Sequence, residues 1–199
     1  MEFREVVRRR RMVRRFDRRP VPREVVDRIL DVGRRGPSAG FSQGLELLVL
    51  DEPDAVAAFW ETTRDPVAGW DLEDVAVGPP VIVIPIPDPS RYLARYARPD
   101  KVALGMDDAA SWAVPFWDVD AAMAAMLMLL AAVDEGVAGW FFGISHGEPE
   151  LLERFGVPPG LRPIGYLGIG YRAPDERPGG SPRSIARRPL AEQTHRNGW

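Results

Sequence analysis

Three segments of the sequence contain residues that could bind an anionic cofactor. They are "RRRMVRRF" at residues 9–16, "GPSAGFSQG" at residues 36–44 and "ARRPL" at residues 186–190. A guanidinium group is a planar fork that pairs with phosphate oxygens, and small polar residues suit a hydroxylated chain. Both ends of the sequence therefore contain candidate phosphate ligands.

The arginine-rich N-terminus has three possible explanations. Nine arginines lie within the first nineteen residues, although the formal net charge of the whole chain is only −3. Such a run occurs on a solvated helix face, in a nucleic-acid-binding arm or around a phosphate group. From the run alone, the solvated face is favoured. The sequence has no nucleic-acid recognition motif and few aromatic residues near the run, so no nucleic-acid partner is expected.

The composition excludes several kinds of chemistry. The chain has no cysteine and two histidines, so it has no thiolate nucleophile and no cysteine-ligated or histidine-rich metal site. Redox activity would therefore need an organic cofactor, and no metal is expected. FMN needs a guanidinium fork for its phosphate, small polar residues for its ribityl chain and apolar walls for its ring. The three segments together supply this set.

The hydrophobic pattern predicts an alternation of helices and strands that would position these segments. Helices are predicted at residues 2–12, 22–35, 53–63, 89–97, 119–134 and 148–155, and strands at 45–50, 80–86, 139–144 and 164–171. The prolines in "PVIVIPI" place the second strand at a sheet edge or mark strand ends. Residues 98–118 have no period and are predicted to form a loop or lid.

The helix at residues 119–134 is apolar nearly all round, which predicts burial on most sides and a subunit interface. Acidic residues bracket it and it is short for a membrane span, so no membrane association is expected. The N-terminus lacks the pattern of a secretory signal, and a cytoplasmic location is expected. One domain is predicted to cover residues 1–199.

The order and spacing of these motifs resemble the FMN-dependent nitroreductase family across nearly the whole chain. The resemblance extends to "PVP" at residues 20–22, "DVD" at 118–120, "GWFFGI" at 139–144 and "PIGYLGIGY" at 163–171. It implies an α+β fold, a nitroreductase-like three-layer sandwich with a mostly antiparallel sheet. It also implies an interlocked homodimer with two FMN molecules at its interface, and a tail at 173–199 that docks on the partner subunit.

The resemblance also assigns individual cofactor ligands. Arg10 and Arg11 correspond to ligands of the FMN phosphate and ribityl chain, Met12 would contribute its backbone, and Arg14 would lie near the pyrimidine ring. Arg187 matches the C-terminal phosphate ligand, and its neighbour Arg188 stays an alternative. A surface salt bridge is the structural alternative for Arg14.

Two further segments would contact the isoalloxazine ring. A loop that contacts the ring of the neighbouring subunit would contribute Pro37, Ser38, Ala39 and Gln43. A strand whose backbone lies against the ring would contribute Phe141, Phe142 and Gly143. A helix C-terminal turn is the structural alternative for the loop, and ordinary core packing is the alternative for the two phenylalanines.

The implied reaction transfers hydride from NAD(P)H to FMN and then to a small flat acceptor such as a nitroaromatic or a quinone. The chemistry is at flavin N5, so no catalytic acid, base or nucleophile is assigned, and the protein positions the reactants. Aromatic residues suit a flat acceptor, and the candidates for the substrate pocket are Phe41, Trp112, Phe116 and Trp117, with Trp70 beside them. Ordinary core packing is the alternative for the tryptophans and Phe116.

Two departures from the family pattern leave other functions open. Met12 stands where the family usually has serine, and Phe41 replaces a common asparagine. A non-catalytic flavin carrier or sensor is therefore an alternative. The loop and C-terminus also resemble the flavin-cleaving 5,6-dimethylbenzimidazole synthase branch. However, Met12 stands where that branch has an acidic residue, and Phe142 or Gly143 stands where it has a serine.

Overall fold

The computed structural model describes residues 1–64, 78–177 and 184–199. The helices and strands in chain order are α1 (Phe3–Arg9), α2 (Arg23–Gly33), β1 (Leu45–Leu50), α3 (Pro53–Thr63), β2 (Val81–Pro87), α4 (Pro89–Tyr96), α5 (Phe116–Asp134), β3 (Ala138–Phe142), α6 (Glu148–Arg154), β4 (Tyr166–Gly170) and α7 (Leu190–Gln193). Each predicted helix and strand has a counterpart, with boundaries that differ by up to three residues.

The four strands form one sheet in the order β1-β2-β4-β3, and each neighbouring pair is antiparallel. Strand β2 lies inside this sheet, so the predicted edge position was wrong. The alternative, that the prolines mark strand ends, holds for Pro80, which directly precedes the strand, and for Pro87, its last residue. The prolines within β2 lie where it pairs with β1 alone, since pairing with β4 ends at Val83. A missing N–H group is tolerated there because no neighbouring strand needs it.

Helices cover both faces of the sheet and give three layers. Alternate side chains of β2 enter two separate cores: Val83 packs in the core that includes residues of α2 and α5, and Ile84 in the core that includes residues of α3 and α6. A strand buried on both faces is apolar at successive positions, which explains "PVIVIPI". The predicted α+β class with an antiparallel sheet is confirmed.

Helix α5 is long and apolar enough to cross a membrane by length and hydropathy alone. One of its faces, however, is packed in the core, where Met128 is fully buried and touches the position of Gly33 on α2. It is therefore a core helix of this fold. Its opposite face is less covered, and Met126 is 41% exposed. Eight residues of α5 are buried, and Ala122 and Met126 lie on one exposed strip, so the prediction of burial on most sides is confirmed.

The segment before α5 is more ordered than the predicted loop. It contains two short 3-10 turns, Val102–Leu104 and Ala109–Ser111, and its last three residues belong to α5. At the C-terminus, every residue from 184 to 199 is exposed. Docking of this tail on a partner subunit stays a prediction.

Candidate functional site

The N-terminal arginine segment, residues 8–15, lies against the outer edge of β3 at Met12. Met12 forms a parallel β-bridge with Gly139, and the Val13 N–H donates to the Gly139 carbonyl at 3.2 Å. The Phe141 N–H donates to Met12 Sδ at 3.5 Å. The structure thus brings together residues 10–14 and residues 139–142, two of the segments that the sequence assigned to the cofactor.

The first arginines of this segment are neutralised locally. Glu5 accepts hydrogen bonds from Arg8 and Arg9, one helical turn further along α1, and these bonds lower the pKa of Glu5 to about 2. Arg15 pairs with Asp175 at 3.1 Å. In contrast, the arginines of this segment that were assigned to the cofactor form no ion pair with any described carboxylate; they are Arg10, Arg11 and Arg14.

Arg10 has an unsatisfied hydrogen-bond donor. Its Nη1 atom is buried and has no hydrogen-bond partner among the described residues. A buried donor without a partner lowers stability by about 1–3 kcal/mol. An acceptor from a bound ligand would remove this penalty. Arg11 and Arg14 are exposed, and their Nη1 atoms make only long contacts with carbonyl oxygens, at 3.4 and 3.5 Å. The site can therefore accept an anion, and an FMN phosphate fits this donor set.

The loop after α2 has an unusual backbone. Gly40, Phe41 and Gln43 all have positive φ angles, of 62°, 56° and 53°. Non-glycine residues rarely adopt this region, and such strain concentrates at functional sites. The ring of Phe41 is 74% exposed. The loop therefore presents an aromatic side chain to solvent in a conformation that the rest of the fold must hold.

A buried carboxylate holds this loop. Oδ2 of Asp120, on α5, accepts hydrogen bonds from the Ala39 N–H and from the Tyr92 hydroxyl, each at 2.8 Å. Burial, and then the hydrogen bond to Asp120, raise the pKa of Tyr92, so its phenol stays a neutral donor. Ser38 Oγ accepts from the Gln43 N–H at 2.9 Å and closes the loop. The loop conformation thus depends on α5 and α4.

Asp120 and Tyr92 were not predicted as site residues. The sequence carried one weak signal, a carboxylate near the N-terminal end of a mostly apolar helix, where burial would require partners for the charge. Nothing in the spacing indicated that the partners would be the backbone of Ala39 and the hydroxyl of Tyr92.

Within one chain the loop and the arginine segment lie apart. The loop is bonded to Asp120, whereas Gly139 beside Met12 packs against Leu129. Residues 120 and 129 are separated by about 13 Å along the helix axis. A single chain therefore presents two separate sets of predicted cofactor ligands.

The aromatic residues of β3 divide between the two faces of the sheet. Phe142 stacks on Trp140, with ring centroids 4.2 Å apart, and joins the core around Phe59. Phe141 packs over Gly165, where a Cβ would lie 2.5 Å from its ring. Both phenylalanines are half-buried, while Gly143 is exposed with open space beside it.

The candidates for the substrate pocket differ in accessibility. Trp112 is only 7% exposed, and its Nε1 donates to the Met106 carbonyl at 2.9 Å. Trp117 is half-buried beside it, while Phe116 is 41% exposed. Trp70 lies outside the described residues. Phe41 and Phe116 are thus the pocket candidates with the most accessible rings.

The two C-terminal arginines have different surroundings. Arg188 donates to the Glu192 carbonyl at 2.9 Å and lies 3.8 Å from its carboxylate. Arg187 is exposed, and no described carboxylate pairs with it. Between the two alternatives from the sequence, Arg187 is the side chain available to a ligand.

The fold and these features agree with the family resemblance found in the sequence. Residues 7–171 match the model of the nitroreductase family. The chain belongs to the nitroreductase family. A relative from Methanothermobacter thermautotrophicus, with the provisional name NADH dehydrogenase/NAD(P)H nitroreductase, is 24% identical over 90% of this chain and 81% of its own length.

Solved structures show the same fold. A provisionally named nitroreductase from Exiguobacterium sibiricum, in complex with FMN, has a TM-score of 0.75 at 19% identity and covers 99% of this chain and 98% of its own. A nitroreductase-like protein from Streptococcus mutans has a TM-score of 0.76 at 16% identity, over 98% and 97% of the two chains.

Proposed function

We propose that the chain is an FMN-dependent oxidoreductase that passes hydride from NAD(P)H through FMN to a flat acceptor such as a nitroaromatic or a quinone. The observation that carries the proposal is the buried Nη1 of Arg10, which has no hydrogen-bond partner among the described residues. Family membership and the FMN complex of a structural neighbour support it.

Each candidate ligand has a chemical role in this proposal. Arg10, Arg11 and Arg187 hold the phosphate and ribityl groups, and the exposed guanidinium of Arg14 stabilises negative charge that develops on the pyrimidine ring. The bound FMN supplies a ring that accepts and returns hydride at N5. The backbone of β3 at Phe141 and Phe142 would lie against one side of the ring and exclude water from it.

The proposal includes a homodimer, because each chain holds two separated sets of ligands. The loop at residues 37–43 would face the arginine segment of the partner subunit. The exposed strip of α5 that includes Ala122 and Met126 would form the contact. The tail at residues 173–199, which is exposed from residue 184 to residue 199 and of which 178–183 lie outside the described residues, would dock on the partner.

Met126→Lys is expected to disrupt this dimer, because a charge would enter an apolar contact face. Light scattering after gel filtration should show a shift toward the monomer mass, and FMN should dissociate with it. Val102→Lys is the matched control, since Val102 is also exposed, at 47%, but lies outside α5. A dimeric Met126→Lys variant with normal FMN content would contradict the proposed interface.

Anaerobic absorption spectroscopy tests the activity itself. The purified protein, loaded with FMN, is expected to show flavin absorption bands that bleach when NADH or NADPH is added and return when a quinone or nitroaromatic follows. A protein that does not bind FMN would refute the proposal. Bands that neither donor bleaches would instead favour a flavin carrier or sensor, an alternative that the exposed ring of Phe41 supports, since it could cover the acceptor position.

A further inference from the structure

A cavity lies between α4 and the loop at residues 37–43, which is called the flavin loop because the proposed function places it at the FMN ring. Its volume is about 610 Å³, within the range of small-molecule sites. The side chains that line it include Phe41, Gln43, Glu46, Arg91, Arg95 and Arg98. Phe41 and Gln43 also line the neighbouring cavity of about 550 Å³ that contains Pro37 and Ser38. The two cavities therefore meet at the exposed ring of Phe41.

Two arginines of this cavity have structural partners. Arg91 pairs with Glu46 at 3.0 Å and lies 3.6 Å from Asp88. Arg95 pairs with Asp100 at 2.7 Å and also donates to the Gly40 carbonyl at 2.9 Å. The acidic groups around the cavity are thus already engaged by these two guanidinium groups.

Two cations remain available. Arg98 is exposed and forms no ion pair with any described carboxylate. Lys101, beside Gly40, has its Nζ 5.0 Å from the centroid of the Tyr96 ring and likewise has no carboxylate partner in the described chain. The lining residues alone carry three arginines against one glutamate. The cavity therefore favours an anion.

An aromatic ring beside free cations fits a nucleotide that carries phosphate. An exposed phenylalanine stacks on a flat base, and a guanidinium fork binds phosphate oxygens. A dinucleotide whose flat nicotinamide end lies in the cavity that contains Pro37 and Ser38 could extend past Phe41 into the cavity lined by Arg91, Arg95 and Arg98. The ligand must then be long, flat at one end and negatively charged at the other.

We propose that this cavity binds the adenosine phosphate half of the electron donor, and that Arg98 and Lys101 favour NADPH over NADH by binding its additional phosphate. The proposal rests on the proposed function, since it assumes a nicotinamide donor at the flavin loop.

Arg98→Ala tests the proposal. The ratio of kcat/KM for NADPH to that for NADH is expected to fall about tenfold, mainly through the KM for NADPH. Adenosine 2′,5′-bisphosphate, titrated calorimetrically into the FMN-loaded protein, should bind about tenfold more weakly to the variant. Arg154→Ala is the control, because Arg154 is an exposed arginine on α6 that pairs with Glu61 and lies outside the cavity.

The outcomes separate this proposal from the proposed function. If both donors bleach the flavin and Arg98→Ala leaves their ratio and the bisphosphate affinity unchanged, the cavity proposal is wrong and the proposed function stands. If neither donor bleaches the flavin, the proposed function fails. The bisphosphate titration then decides separately whether the cavity binds a nucleotide. Binding that depends on Arg98 supports this, and absence of binding overturns it.

Discussion

Arg10→Met is expected to weaken FMN binding about 100-fold while the flavin-free protein stays at least as stable as the wild type. A hydrogen bond to a charged group contributes about 1.5–3 kcal/mol, and about 2.8 kcal/mol corresponds to a 100-fold change in affinity. The same buried Nη1 has no partner among the described residues, so its removal relieves a desolvation cost in the unliganded protein. Methionine keeps a long unbranched side chain at the position.

Two measurements separate the effects of this substitution. Quenching of flavin fluorescence gives the Kd for FMN, and urea unfolding of the flavin-free protein gives its free energy of unfolding. Arg9→Met is the control, because Arg9 is an exposed neighbour that is neutralised by Glu5, and its FMN affinity should stay close to that of the wild type. A variant at Arg10 that loses stability but keeps its FMN affinity would assign Arg10 a structural role.

The elements whose boundaries were predicted from the sequence are those set by local patterns. Strand β1 covers Leu45–Leu50 and helix α3 covers Pro53–Thr63, as predicted. The strand is an apolar run between breaking residues, and the helix has a proline in its first turn. Local signals were sufficient in both cases.

Boundaries that depend on distant residues were missed. Helix α1 ends at Arg9 instead of continuing to Met12, because Met12 forms a bridge with Gly139. Strand β4 begins at Tyr166 and not at Ile164, since the intervening Gly165 has a φ of 143° and its position lies under the Phe141 ring. Neither partner is close in sequence.

The candidate site shows the same division. Glu5 precedes Arg8 by three residues and Arg9 by four, a spacing that predicts ion pairs on a helix. The structure contains both pairs. The anchor of the loop at residues 37–43 could not be predicted from the sequence, because Asp120 lies 81 residues from Ala39 and 28 from Tyr92. Only the packing of α5 against α4 and the loop brings these groups together.

Asp120→Ala is expected to lower the free energy of unfolding by about 3 kcal/mol, because two donors would lose their acceptor in or near the core. The Tyr92 hydroxyl is buried and the Ala39 N–H is partly buried, and both donate to the same carboxylate oxygen. Urea unfolding of the flavin-free protein measures this loss. Asp120→Asn is the matched variant, since its amide oxygen can still accept both hydrogen bonds, and it should retain most of the stability.

FMN binding should fail in Asp120→Ala for a separate reason. Gly40, Phe41 and Gln43 hold left-handed backbone conformations, and strain of this kind persists only while surrounding contacts impose it. Without its anchor the loop should relax, so that Pro37 and Ser38 no longer lie where a cofactor needs them. Flavin titration at a temperature where the variant stays folded measures this effect. Normal FMN affinity in a folded Asp120→Ala protein would show that the loop does not position the cofactor, and the cofactor site would then consist of the arginine segment and β3 alone.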